Sequence, residues 1–252
     1  MTASANPEAA LSVLPRADGS ATYSYAGYTV TASVNGPIEA QRRDEHAYEA
    51  HVDVIVRPAA GVGGTRERHL ESLLQSSLSR IILVKNFPRS LIQIVLQIED
   101  TPANDYVTPK LVQAGTNIPV IPVLLQTAVL ALLSASVPLG ATATAAVVAI
   151  LPRSASERIV VEPSQQALAT AASVHVLAFT SDGGLLLAES EGEFTMKEWD
   201  DVYDAAQRIC CESGKKAGLD MILDEPKRDG PDMQHFLRST MEAKVAADLH
   251  WK

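Results

Sequence analysis

The feature that most limits how this chain can fold is the run 118–151, which contains no charged side chain. A run of that length must be buried, either inside a protein or across a bilayer. Pro119 and Pro122 open it, and Pro138 with Gly140 cut it in two. Neither piece then reaches the roughly 20 apolar residues that a spanning helix needs. What remains is a helix over 122–136, apolar nearly all round and therefore central, followed by a strand over 141–150 buried on both faces. The rest of the chain has to be arranged to cover these two elements.

The flanking segments supply that cover. Residues 21–34 read as two strands rich in Thr, Tyr and Val with a turn at Ala26-Gly27, and Gly36-Pro37 is expected to stop the sheet. Over 46–57 the chain alternates: His46, Tyr48, Ala50, Val52, Val54 and Val56 share one face and Glu49, His51 and Asp53 the other, as in a half-buried strand. Leu70, Leu73, Leu74, Leu78, Ile81 and Ile82 recur at helical spacing, and 91–98 follows as an apolar strand. The polar segment 99–115 reads as a surface loop. Strands over 158–162, 172–180 and 185–189 come next, the last two joined through Ser181-Asp182-Gly183-Gly184, and His175 is expected to point outward. Thr195 and Glu198 form a capping box for a helix carrying Trp199, Val202, Ala206 and Ile209, which Gly214 ends; a final helix is expected over 235–249. Strands and helices in this order give an α+β protein with helices packed on mixed sheets.

Charge and cysteine content narrow the chemistry. Thirty Asp and Glu against 21 Lys and Arg give a formal charge of −9, the wrong sign for a protein that grips nucleic acid with its whole surface. Any such contact has to be local. Arg57, Arg66 and Arg68 bracket the glycine-rich stretch 58–65, and Arg42 and Arg43 lie in the preceding loop, so these five are the candidates for meeting a nucleic-acid phosphate backbone. Gly61, Gly63 and Gly64 stand before a helix as an anion cradle would, but without the Gly-Lys-Ser/Thr of a P-loop. Glu49, His51 and Asp53, about 7 Å apart on a strand face, could ligate a metal and support a hydrolase; they equally suit a solvated face. Cys210 and Cys211 are adjacent and are the only cysteines, so neither a disulfide framework nor a thiolate metal site follows. Residues 1–14 read as a flexible lead-in without the pattern of a signal peptide.

Function enters through resemblance. Residues 16–39, with Asp18-Gly19-Ser20, Gly27-x-Thr29 and Gly36-Pro37, resemble the opening of the RNase PH family. The likeness continues through 54–58, the helix over 67–84, 88–97, the central helix ending at 131–139, and 161–164, then through the hairpin to near Gly214. It implies an RNase PH-like (ribosomal protein S5 domain 2-like) fold over 15–218, with 1–14 a tail and 219–252 an extension. Active members of the family degrade RNA from its 3′ end with phosphate as nucleophile, held by an arginine in a Gly-Thr-Arg-Thr type motif before the central helix. Here the matching residues are Pro119-Val120-Ile121-Pro122, which puts Ile121 at the arginine position. The family's acidic pair falls at Glu162 and Ala172. An apolar side chain in place of a bidentate cation, with one carboxylate missing, implies loss of phosphorolysis. The chain is most similar to the non-catalytic ring subunits of the eukaryotic RNA exosome. That likeness implies a six-subunit hetero-oligomeric ring of RNase PH-like chains, cap proteins with S1 and KH domains, RNA threading a central channel, no cofactor, and a place in nucleus, nucleolus and cytoplasm. The alternative is an active phosphate-dependent 3′–5′ exoribonuclease.

Overall fold

A computed structural model describes residues 6–102, 117–152, 158–211 and 232–250. Two sheets hold the chain together. The first has five strands in the order β1-β2-β3-β5-β4: β1 Glu8–Leu11, β2 Gly19–Tyr25, β3 Tyr28–Glu39, β5 Ser90–Asp100 and β4 His51–Arg57. The second has four strands in the order β7-β6-β8-β9: β7 Ile159–Val161, β6 Ala143–Ile150, β8 Ser173–Thr180 and β9 Leu185–Gly192. The β4–β5 pair is parallel and the other pairs are antiparallel, so the first sheet is mixed, as the α+β reading requires. Five helices accompany them among the described residues: α1 Thr65–Ile81, α2 Ile121–Ser134, α3 Gln165–Thr170, α4 Met196–Cys211 and α5 Met233–Asp248.

The charge-free run sits where its composition demands. Helix α2 is buried at every position from Ile121 to Leu132 and packs against β2 and β3 on one side and β6 on the other. Strand β6 is buried along its whole length. Its Ala143, Ala145 and Val147 join the core around α2, while Ala146, Val148 and Ile150 meet Val202, Ala206 and Cys210 of α4. Both faces of one strand are therefore covered by helices, which is why its sequence does not alternate. Small side chains on β6 let both helices approach, and Gly19 does the same for β2: a Cβ there would lie 2.5 Å from the Ala131 carbonyl oxygen. No helix among the described residues is long and apolar enough to cross a membrane.

Several expectations need correction. The lead-in is not structureless throughout, because Glu8–Leu11 pairs antiparallel with β2. Gly36-Pro37 does not end the sheet: β3 runs on to Glu39 across a register shift between Asn35 and Ile38, a bulge that absorbs proline's missing N–H. The alternating segment 46–57 forms a strand only from His51; before it the chain is held by hydrogen bonds from Ala50 N–H to the Val84 carbonyl and from Arg89 N–H to the His46 carbonyl, and Tyr48 is 88% exposed. His175 is fully buried rather than outward, because β8 is an internal strand whose second face is roofed by α4. A short helix, α3, capped by the Ser164 hydroxyl, had no sequence expectation. The terminal helix does reach the core: Leu237 is buried, and the Phe236 ring lies tilted against Tyr23 with centroids 5.9 Å apart. Most of the expected loop 99–115 lies outside the described residues, as does 219–231 of the expected extension; Glu99 and Asp100 belong to β5.

Candidate functional site

Ile121 opens α2 after the single turn Ile118–Val120 and is 1% exposed. It borders a cavity of about 130 Å³ whose other walls are His69, Leu70 and Leu73 of α1, Ile118, and Glu189, Ser190 and Glu191 of β9. Among the described residues that line it, His69 is the one basic side chain. An anion placed there would meet apolar carbon from Ile118, Ile121, Leu70 and Leu73 and two glutamates across the gap. Among the described residues, such a pocket offers phosphate no forked donor.

The acidic positions are elsewhere. Glu162 follows β7 with φ +50°, and its N–H donates to the Val147 carbonyl at 2.9 Å. Its carboxyl turns toward an enclosed gap of about 20 Å³ lined by Tyr25, Ala145, Val161, Ile209, Cys210 and Met233. Burial pushes that carboxyl up to about 7; hydrogen bonds from the Tyr25 hydroxyl and from the Val147 backbone restrain the rise. The same burial pushes the Cys210 thiol up to about 12, so it is not a nucleophile. Ala172 N–H bonds the Ile150 carbonyl on the opposite edge of β6. Two strand spacings and three residues along the strand put Glu162 and Ala172 more than about 10 Å apart. The fold therefore brings neither of them into the cavity beside Ile121. The carboxylates that do line it, Glu189 and Glu191, have no motif in sequence; their only signal is alternation on β9 opposite Val176 and Val174.

The five arginines form two groups. Arg42 and Arg43 lie in the loop before β4, with Arg43 paired to Asp44 at 3.3 Å. Arg57 ends β4 and Arg66 and Arg68 follow beyond it, about 20 Å from the other end of the strand at strand rise. Arg57 and Arg68 are exposed. Arg66 is not free: it pairs with Glu67 at 3.0 Å, with the two side chains 12% and 9% exposed. Burial raises the Glu67 carboxyl, but hydrogen bonds from the Gly64 N–H and its own N–H, with Arg66 beside it, outweigh that and hold it below the usual range. The Gly64 N–H is thus spent on Glu67 at 2.6 Å instead of cradling an anion.

The strand-face metal set is not assembled either. Glu49 lies outside β4, the His51 ring stacks on His46 at 5.5 Å, and Asp53 accepts from Gln93 Nε2 at 3.1 Å. No group of three or more His, Cys, Asp or Glu among the described residues could hold a metal ion. His175 is tied into the β8–β9 ladder through Ser173 at 3.0 Å and Ser190 at 2.8 Å, with Phe194 edge-on at 4.7 Å; burial lowers its pKa, so it sits neutral in a structural role.

Two sheets enclosing a buried helix, with a cavity where that helix begins, define a protein of the RNase PH-like fold class. The chain belongs to the 3′ exoribonuclease (RNase PH) family, whose domain 1 matches residues 6–138. It is 30% identical over 211 residues to the exosome complex component RRP46 of Saccharomyces cerevisiae, which covers 81% of this chain and 90% of that protein. Among solved structures it resembles the crystal structure of rice (Oryza sativa) Rrp46, with a TM-score of 0.72 at 19% identity over 94% of each chain. It also resembles a chain of the Archaeoglobus fulgidus exosome with RNA bound to the active site, with a TM-score of 0.63 at 13% identity over 81% of this chain and 84% of that one. At these identities the two structures speak for the fold.

Proposed function

We propose that this chain is a non-catalytic structural subunit of a eukaryotic RNA exosome core ring, of the type its yeast relative is named for, supporting 3′–5′ RNA processing and decay. The observation that carries the reading is the cavity at Ile121: the place where the family resemblance puts a phosphate-binding arginine is apolar and faces Glu189 and Glu191. Phosphorolysis needs an anion in that place, and a wall of this kind repels one. In this reading the chain occupies one position in a six-subunit hetero-oligomeric ring, under cap proteins with S1 and KH domains, in nucleus, nucleolus and cytoplasm. RNA passes through the channel, and Arg57 and Arg68 are the exposed residues of this chain that meet its phosphates. Arg42 and Arg43 lie too far from them to share one short contact.

Co-expression with the other ring subunits followed by native mass spectrometry tests the assembly. The expected particle holds one copy of this chain per hetero-hexamer. A homo-hexamer, or a chain left as a monomer beside a complete ring, would overturn the reading. In the assembled ring, Arg57→Glu with Arg68→Glu is expected to reduce ultraviolet crosslinking of single-stranded RNA to this chain several-fold without disturbing the hexamer.

A further inference from the structure

A groove of about 540 Å³ runs between strand β1 and helix α5, and it shares no residue with the cavity at Ile121. Its strand side is Ala9, Leu11 and Ser12; its helix side is Ser239, Thr240, Ala243, Lys244, Ala247 and Asp248. β1 is the edge of the five-stranded sheet and pairs only with β2. The phase of that pairing is fixed by Ser12, whose N–H donates to the Ser20 carbonyl at 2.8 Å, in register with Leu11 opposite Ala21 and Ala9 opposite Tyr23. Antiparallel pairs alternate between bonded and non-bonded, so Glu8, Ala10 and Ser12 turn their backbone groups toward β2. Ala9 and Leu11 turn theirs the other way, away from β2 at the open edge of the sheet beside the groove, and the described residues give them no backbone partner. The side chains of Ala9 and Leu11 meanwhile pack against the core, and both residues line the groove.

We propose that this groove binds an extended polypeptide segment of a partner protein, which adds to β1 as a sixth strand and lays alternate apolar side chains against α5. Three features select that occupant. Without a backbone partner among the described residues, the outward N–H and C=O groups of Ala9 and Leu11 recur at the two-residue period that only an extended chain matches. The α5 wall is built of small side chains, which leaves the volume for the incoming residues. The charged groups of the groove, Lys244 and Asp248, neutralise each other at 2.8 Å, so the complementary segment is uncharged at its inward positions and a phosphate backbone gains nothing there. A second copy meeting this edge would do so through the four residues of β1, far short of the roughly 20–30 residues a side of a stable interface.

The test uses the full chain and a displayed library of random ten-residue peptides, with enriched peptides synthesised and fluorescein-labelled for anisotropy. Enriched sequences are expected to alternate apolar and polar residues, and binding is expected to slow amide hydrogen exchange at Ala9 and Leu11. Ala243→Trp fills the groove, and Ala9→Pro removes an outward donor at a position where an edge strand tolerates proline; each should weaken binding at least tenfold. Should Ala243→Trp fail to fold by circular dichroism, Ala9→Pro and the exchange data decide. No enriched peptide, or peptides that bind both folded variants as tightly and leave Ala9 and Leu11 exchange unchanged, overturns the proposal. A concentration-dependent dimer in sedimentation velocity that Ala9→Pro abolishes would overturn it in favour of a second copy.

Discussion

Glu162 lies where the end of β7 meets the end of β2, and its carboxyl, raised to about 7 by burial, makes it a source of pH-dependent stability. In the unfolded chain the same group titrates near its ordinary value of 4.5. Between these values the folded form holds a proton that the unfolded form has lost. The protonated group is therefore compatible with folding at low pH, and stability falls as pH rises through the folded value. The wild-type melting temperature is expected to fall more between pH 5 and pH 8 than that of Glu162→Gln, which keeps the shape and cannot ionise. Parallel pH profiles in thermal denaturation by circular dichroism would show that the burial of this carboxyl has been misjudged. The family resemblance singles out Glu162 in the sequence, but its burial was not legible there, since its environment comes from Tyr25, Cys210 and Met233, none of them near it in the chain.

Among the elements, α2 and β6 were the most legible, because a long charge-free run leaves only buried solutions and proline and glycine mark its divisions. Periodicity over 70–82 likewise located α1, which the structure bounds at Thr65–Ile81, and the capping box located α4, where the Thr195 N–H bonds Glu198 at 2.7 Å. Alternation failed where a second face was covered. His175 looked outward because its neighbours are valines, yet the roof over β8 comes from α4, and its hydroxyl partner Ser190 comes from β9. It failed again at 46–50, where apolar and polar residues alternate without a strand to pair with. The candidate site was legible in one respect, the apolar residue at Ile121. Its acidic wall was not, since Glu189 and Glu191 reach the cavity only once β9 lies against α1. Close approach between α2 and β2 also needs three dimensions to be seen. A Cβ at Gly19 would lie 2.4 Å from the Ala135 backbone nitrogen, so Gly19→Ala must push helix and strand apart. The expected loss is about 1–3 kcal/mol in urea denaturation, the usual cost of overpacking. A change below about 0.5 kcal/mol would mean the two backbones are not in contact there.

At the scale of the whole molecule, an RNase PH-like fold carries a cavity at Ile121 whose described lining holds no arginine, which is the basis of the proposed non-catalytic role. The net charge of −9 fits a chain that borders an RNA path with a few arginines and leaves the general positive field to its neighbours. In the proposed reading such a subunit contributes shape and contacts, and chemistry belongs to another component of the particle. The most direct measurement is shortening of an end-labelled single-stranded RNA by the purified chain and by its reconstituted ring, with and without inorganic phosphate and magnesium. The account predicts that the ring binds the RNA and that this chain, alone or assembled, leaves it intact with phosphate present. Phosphate-dependent release of nucleoside diphosphates by the purified chain, lost on Glu189→Gln with Glu191→Gln, would contradict it and make the cavity at Ile121 an active site.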